Sequence, residues 1–325
     1  MNDTCRICGQ SGGHAPRQLA ERMLGLGDSF PYFQCGQCGC LQIQQSPPDW
    51  TRYYPPHYYS FNVDPVPQQG WKAWLAGRRD AACITRSGML GRVLALLQPS
   101  RLDIASLRFL SLCPQDRLLD VGCGRGQLLS ALARAGFTKL SGVDPFLATD
   151  LEVIPGVWVQ RRYLAEVEGH YDCIMLHHVL EHIEDQLGTL AECRERLAPG
   201  GRILLRIPTI ECEAMERDGT YAVHLDAPRH LVIHTRGSFR RLAARAGLRV
   251  QRLLDDSYSL QFWGSELYRK GLPLITPEGR QVDPLAHFSR QSLRAFERKA
   301  WELNRNGRGD QFLAVLVPEY APQSS

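Results

Sequence analysis

Apolar residues fall along this chain in two rhythms, with a stretch between that keeps neither. Short dense runs, bounded by glycine, proline or charge, occupy Ser29 to Gln34, Arg117 to Val121, Leu140 to Val143, Tyr171 to Leu176 and Phe312 to Val317. Their length and density predict strands. From Trp71 to Leu97 (Trp71, Trp74, Leu75; Leu90, Val93, Leu94, Leu97), from Gln127 to Gly136 and from Ser238 to Ala246, apolar positions recur every three or four residues. Helices are predicted there, one or two in the first segment, with Gly136 and Gly247 as stops for the others. After Cys40 comes Pro47-Pro48-Asp49-Trp50, then Tyr53-Tyr54-Pro55-Pro56-His57-Tyr58-Tyr59. Those prolines break regular structure, so this is a linker whose aromatic rings either pack on the neighbouring domain or line a substrate cleft.

Composition narrows the class. With 325 residues, 44% hydrophobic and 22% charged, the chain matches an ordinary globular protein, large enough for one domain and a small appendage. The longest apolar runs are strand-length, far short of the ~20 residues of a spanning helix. Met1 to Gln10 shows no basic cluster, apolar stretch or cleavage site, so a cytoplasmic location is expected. A net charge of +4, with cations and anions interleaved, leaves nucleic acid neither demanded nor excluded.

Cysteine changes the picture, because five of the eleven lie within the first forty residues. Cys5-Arg6-Ile7-Cys8 and Cys35-Gly36-Gln37-Cys38 are two C-x2-C knuckles, each followed by a glycine (Gly9, Gly39) that lets backbone amides approach the sulfurs. A disulfide framework is the alternative, but in a cytosolic chain four thiolates so paired suit tetrahedral Zn²⁺, and a closed four-sulfur cage serves structure or recognition. Cys5, Cys8, Cys35 and Cys38 are the expected ligands; Cys40 is a spare or a substitute, and His14, in a glycine-rich loop, is expected to face solvent.

The densest chemistry lies at Asp116 to Gly126. A strand runs into Gly122, Gly124 and Gly126, a helix follows, and a second strand ends in Asp144. Strand, glycine bend and helix let a ligand approach bare backbone and a helix N-terminus, and an acid about twenty residues on accepts from ribose hydroxyls.

The spacing of Asp120-Val-Gly122-Cys-Gly124-Arg-Gly126 resembles the first motif of class I S-adenosylmethionine-dependent methyltransferases. Further matches run from about 113 to 250: Asp144 as ribose acid, Tyr171–Leu176 as fourth strand, His178-Val-Leu-Glu181-His182-Ile183 as the helix start behind it, and Leu197–Pro208 as the turn into the fifth strand. Pro-Arg-His-Leu at 228–231, the following helix and the four-cysteine ribbon resemble a branch found in bacterial sugar and polysaccharide pathways. The resemblance implies an α/β, Rossmann-like seven-stranded sheet closed by an antiparallel strand at Gly309–Val317. It also implies S-adenosylmethionine held by Asp120, Gly122, Gly124, Gly126, Asp144, Pro145, Tyr163, Leu176 and His177. At the third-strand end, where the family offers the adenine an acid, this chain has Arg161-Arg162-Tyr163-Leu164.

The expected organisation is a zinc ribbon over 1–45, linker and helical bridge over 46–112, and a methyltransferase domain over 113–325 with an insertion near 258–306. The expected reaction is methyl transfer to a sugar or glycan-type acceptor, a small molecule or a growing polysaccharide. The sequence offers His177, His178 and His182 after the fourth strand, and His224, His230 and His234 after the fifth, at the sheet edge where ligands bind. His178 is the first choice of base and His230 the second; His182 braces the helix or takes part, and Arg229 clamps a substrate anion or pairs with Asp226. Two rival readings are an RNA methyltransferase with the ribbon as reader, and a non-catalytic assembly factor with a vestigial fold. The ribbon lacks a basic stripe, and the intact glycines and Asp144 speak for function.

Overall fold

A computed structural model describes residues 3–55 and 69–319; Pro56, His57, Tyr58 and Tyr59 of the aromatic linker lie outside the described residues. Three short strands open the chain, β1 (Ala15–Ala20), β2 (Ser29–Gln34) and β3 (Leu41–Ile43), paired antiparallel in that order. A helical hairpin follows, α1 (Trp71–Thr85) and α2 (Met89–Leu97), then the short α3 (Leu102–Ser106).

The main domain alternates strand and helix. In order come β4 (Arg117–Val121), α4 (Gln127–Arg134), β5 (Lys139–Val143), β6 (Leu151–Ile154), β7 (Val157–Gln160) and β8 (Tyr171–His177). Then come α5 (Gln186–Glu195), β9 (Leu197–Pro208), α6 (Glu213–Asp218), β10 (Val232–Ile233), α7 (Arg236–Arg245) and β11 (Leu248–Asp255). The chain finishes with α8 (Leu260–Arg269), α9 (Arg290–Arg305) and β12 (Gln311–Pro318). The segment 258–306 carries α8 and α9, and the last strand is antiparallel to β9, as expected.

The sheet has eight strands, ordered β11-β12-β9-β8-β4-β5-β7-β6, rather than the expected seven. The extra edge strand, β6, turns back antiparallel on β7 through a hairpin at Gly156, whose φ of 81° needs a residue without Cβ. At its centre β9, β8, β4, β5 and β7 run parallel. Their side chains alternate between two buried layers. Leu118, Cys173, Met175, Leu204 and Leu313 meet the α4 residues Leu128, Leu129 and Leu132, whereas Leu119, Ile174, Leu176, Leu205 and Phe312 meet Leu190, Phe239 and Leu242 of α5 and α7. Strand order reverses between β4 and β8, so a crevice opens above their carboxyl ends.

The amino-terminal strands do not stand apart. β3 pairs antiparallel with β10, making a four-stranded sheet from both ends of the sequence. Tyr32, fully buried, donates its hydroxyl to the His230 carbonyl at 2.9 Å, and Thr235 donates to the Cys38 carbonyl at 2.9 Å. Among the described residues no helix is long and apolar enough to cross a membrane.

Candidate cofactor crevice and the ribbon beside it

The glycine bend is built from backbone. Gly122, Gly124 and Gly126 all adopt left-handed φ values of 69°, 52° and 75°. Even without the strain, a methyl group on Gly122 would lie 2.5 Å from Val179 Cγ2, so the bend tolerates no side chain. Asp144, at the end of β5, accepts from the Gly124 amide at 2.9 Å and from the Phe146 amide at 2.9 Å, tying the second strand to the bend. Burial raises its carboxyl above the ordinary range, and those two amides draw it back. Asp120 is more deeply buried, and burial, with the charges of Asp103 and Asp144, holds its carboxyl well above the usual value.

Two adjoining cavities meet at this bend. The larger, about 640 Å³, is walled by Tyr54, Asp144, Pro145, Phe146, Tyr163, Leu164, His177, His178, Val179 and His182, with Thr189 and Glu192 of α5 at its side. The smaller, about 240 Å³, is walled by Arg101, Asp103, Asp120, Gly122, Gly124, Gln127 and His177. Both ring nitrogens of His177 are buried without a hydrogen-bond partner. His177 lines both cavities, and burial keeps its imidazole neutral, far below its ordinary pKa. An orphaned polar ring between a bare glycine bend and a buried acid fits a polar nucleoside ligand with an extended tail.

His178 has a φ of 56°, a left-handed value rare for a side-chain-bearing residue, and the turn aims its ring into the larger cavity. Its Nδ1 lies 3.2 Å from Glu181 Oε1; a carboxylate accepts, so Nδ1 carries the proton and Nε2 keeps its lone pair. Desolvation, helped by the Arg206 guanidinium, pushes His178 down to about 4.

The sequence profile of a family described as a methyltransferase domain matches residues 84–253, just over half of the chain. The chain belongs to that family. Relatives include a ubiquinone biosynthesis O-methyltransferase of Xanthomonas campestris pv. campestris (strain B100), 32% identical over 123 residues, 34% of this chain and 50% of the relative. Its namesake in Xanthomonas euvesicatoria pv. vesicatoria (strain 85-10) is 34% identical over 125 residues, again 34% of this chain and 50% of the relative. The chain thus spans about half the length of the curated relatives it matches. Among solved structures, a geranyl diphosphate methyltransferase in complex with SAM superposes with a TM-score of 0.44 at 16% identity, covering 73% of this chain and 94% of the other.

Within this methyltransferase domain the expected residues divide. Asp120, Gly122, Gly124, Asp144, Pro145, Tyr163, His177 and His178 line the cavities, and Gly126 shapes the bend. Leu176 does not: it is fully buried in β8 opposite Val121, under the crevice floor, because its strand position points into the α5–α7 layer. His230, the second choice of base, is absent from the cavity wall. It sits behind His182, ring centroids 4.8 Å apart, with Nδ1 on the His224 carbonyl. His234 is fully used at 2.8 Å from Gln186 Oε1 and 2.9 Å from Ser238 Oγ, and His224 is buried beside Cys212; neither lines the cavities.

Arg229 is not a substrate clamp. It is wholly buried and grips Asp226 at 2.6 Å, Glu21 at 2.7 Å and the Tyr53 carbonyl at 3.3 Å, joining ribbon, linker and methyltransferase domain. Cys123 is half-buried, packed near Gly142 on the wall of the smaller cavity, and desolvation raises its thiol well above the ordinary value. Among the described residues of the linker, Tyr54 is the aromatic that reaches the cavity. Arg101, Asp103, Phe146, Thr189 and Glu192 carry no motif in the sequence; α3 and α5 bring in all but Phe146, which the turn after β5 presents.

In the ribbon, one ligand atom each from Cys5, Cys8, Cys35 and Cys38 falls within a 4.8 Å sphere of mutual distances. Two of the sulfur pairs, Cys5–Cys38 and Cys8–Cys35, lie 3.6 and 3.5 Å apart. A tetrahedron with metal–sulfur bonds of about 2.3 Å has edges of about 3.8 Å, so the thiols fit such a cage. Cys40 is fully buried against them, 3.3 Å from Cys38, and the Gln42 amide donates to the sulfurs of Cys5 and Cys40 at 2.8 and 2.9 Å. His14 does not simply face solvent: it stacks on Phe33 at 4.4 Å and takes the Gly36 amide on Nδ1 at 3.3 Å, bracing the second knuckle.

Proposed function

We propose that this chain transfers a methyl group from S-adenosylmethionine to a hydroxyl oxygen. The observation that carries the reading is the meeting, in one crevice, of the side-chain-free bend, the Asp144 carboxylate and the lone pair of His178. Asp144 is the acceptor for ribose hydroxyls; Tyr163, Leu164 and Phe146 offer apolar faces for the base; Asp120, Arg101 and Asp103 surround the space for a charged amino-acid tail. Bound there, the sulfonium supplies an electrophilic methyl group. The acceptor oxygen must shed its proton as it attacks; His178 Nε2 takes it in this reading, which the Glu181 carboxylate on Nδ1 supports by stabilising the imidazolium. Cys5, Cys8, Cys35 and Cys38 hold a structural Zn²⁺ that fixes the ribbon against β10.

For the acceptor we propose a sugar or glycan hydroxyl, supported by the resemblance of the ribbon and the 228–231 segment to enzymes of sugar pathways. A second reading, an oxygen acceptor of ubiquinone biosynthesis with simple phenols as its probes, is favoured by the names of the Xanthomonas relatives. Incubating the purified chain with methyl-labelled cofactor and separate panels of nucleotide sugars, glycans, phenols and RNA decides between them. Label in the sugar or glycan panel supports the first reading, label in phenols the second, and label confined to RNA overturns both.

A further inference from the structure

We infer that Glu181, His182 and His230 form a second, open metal site, distinct from the sulfur cage, for a divalent first-row transition cation. One ligand atom from each lies within 4.8 Å of the others. The tautomers follow from the neighbours. His182 Nδ1 is 2.9 Å from the Arg229 carbonyl, and His230 Nδ1 is 2.8 Å from the His224 carbonyl. A carbonyl can only accept, so both Nδ1 atoms carry hydrogen and both Nε2 atoms present lone pairs. Metal-binding imidazoles are oriented in this way, their other nitrogen donating to a carbonyl or carboxylate. The third group adds an independent sign. Glu181 is 1% exposed, and its Oε2 is buried without a hydrogen-bond partner. A buried carboxylate oxygen left bare is costly, and a cation bound between it and two imidazole lone pairs removes the cost.

Two imidazoles and one carboxylate leave coordination positions for water or an acceptor oxygen. His182 belongs to the wall of the larger cavity, so the site adjoins the crevice, whereas the four-thiolate cage lies in the ribbon and is closed. Ligand type separates the two: thiolates favour zinc, and nitrogen with oxygen accepts the broader first-row series. The inference does not depend on the acceptor, because cation binding is read without any turnover.

Co²⁺ titrated into the full chain with its ribbon loaded with zinc tests the site. The expected result is one saturable equivalent of Co²⁺, giving a visible d–d band without near-ultraviolet sulfur charge transfer. Glu181→Gln, which keeps size and shape, and His182→Ala, at a half-buried position, each weaken binding at least tenfold. Circular dichroism and S-adenosylmethionine binding check that the variants fold, and the wild-type titration stands without them. No Co²⁺ uptake, uptake with sulfur charge transfer alone, or an affinity unchanged in both variants overturns the site and leaves these side chains as a polar brace; the proposed methyl transfer is judged separately by the labelled-cofactor assay.

Discussion

The glycine bend and the seam between ribbon and methyltransferase domain lie on either side of Val179–His182 and are built by opposite means. At the bend the backbone does the building: three left-handed glycines, one amide on Asp144, and a helix start, all within residues 122–144. At the seam side chains do it, and they come from far apart, with Arg229 meeting Glu21 across 208 positions of sequence. A backbone-built site leaves a local pattern, because only certain spacings make the bend. A seam built from side chains leaves none. That difference also sets how each responds to damage: the bend fails by losing its ligand, the seam by losing the fold.

The largest effect is therefore expected at the seam. Arg229→Met removes a fully buried cation from Glu21 and Asp226 and leaves their charges unpaired, a change that costs about 3–5 kcal/mol. Urea denaturation reads it, and a loss under about 1 kcal/mol breaks the contrast. At the bend, Gly122→Ala places a methyl 2.5 Å from Val179 and costs about 1–2 kcal/mol of backbone strain. There cofactor affinity should fall at least tenfold while the chain stays folded; equal affinity in calorimetry contradicts a bend that must be bare.

A pH effect sharpens the seam. Burial lowers His234 to about 4 in the folded protein, so between about 6.5 and 4 the unfolded chain binds a proton that the folded chain refuses. Stability should then fall with decreasing pH through that window, by up to about 1.4 kcal/mol per pH unit from this group. In His234→Gln the decline of melting temperature over that range becomes shallower; parallel curves for the two proteins count against it. The smallest effect belongs to the rim. Arg52 pairs with Asp28 at 2.9 Å, but its side chain is 56% exposed, so Arg52→Ala should cost less than about 1 kcal/mol.

The same contrast explains what the sequence disclosed. Arg117–Val121, Gln127–Arg134 and Tyr171–His177 were legible because runs and periods encode buried strands and amphipathic helices, and Gly122, Gly124, Gly126 and Asp144 because their spacing is itself the geometry. Strand β6 leaves no clear trace in the sequence because its four residues are at most partly buried and their pattern is weak. Position after the fifth strand alone puts His230, His234 and Arg229 at the cleft. No local signal told that β10 pairs with the ribbon there and turns those side chains inward. Tyr54 and Arg101 reach the cavities through packing of the linker and α3, which periodicity does not encode.

Calorimetric titration of S-adenosylmethionine into the wild type and Asp144→Ala tests the crevice most directly. Saturable one-to-one binding, weakened tenfold or more by the substitution, is the predicted result, since a charge-assisted hydrogen-bonding group contributes about 1.5–3 kcal/mol. Absence of binding to the wild type, or an affinity that the substitution leaves unchanged, would contradict the account.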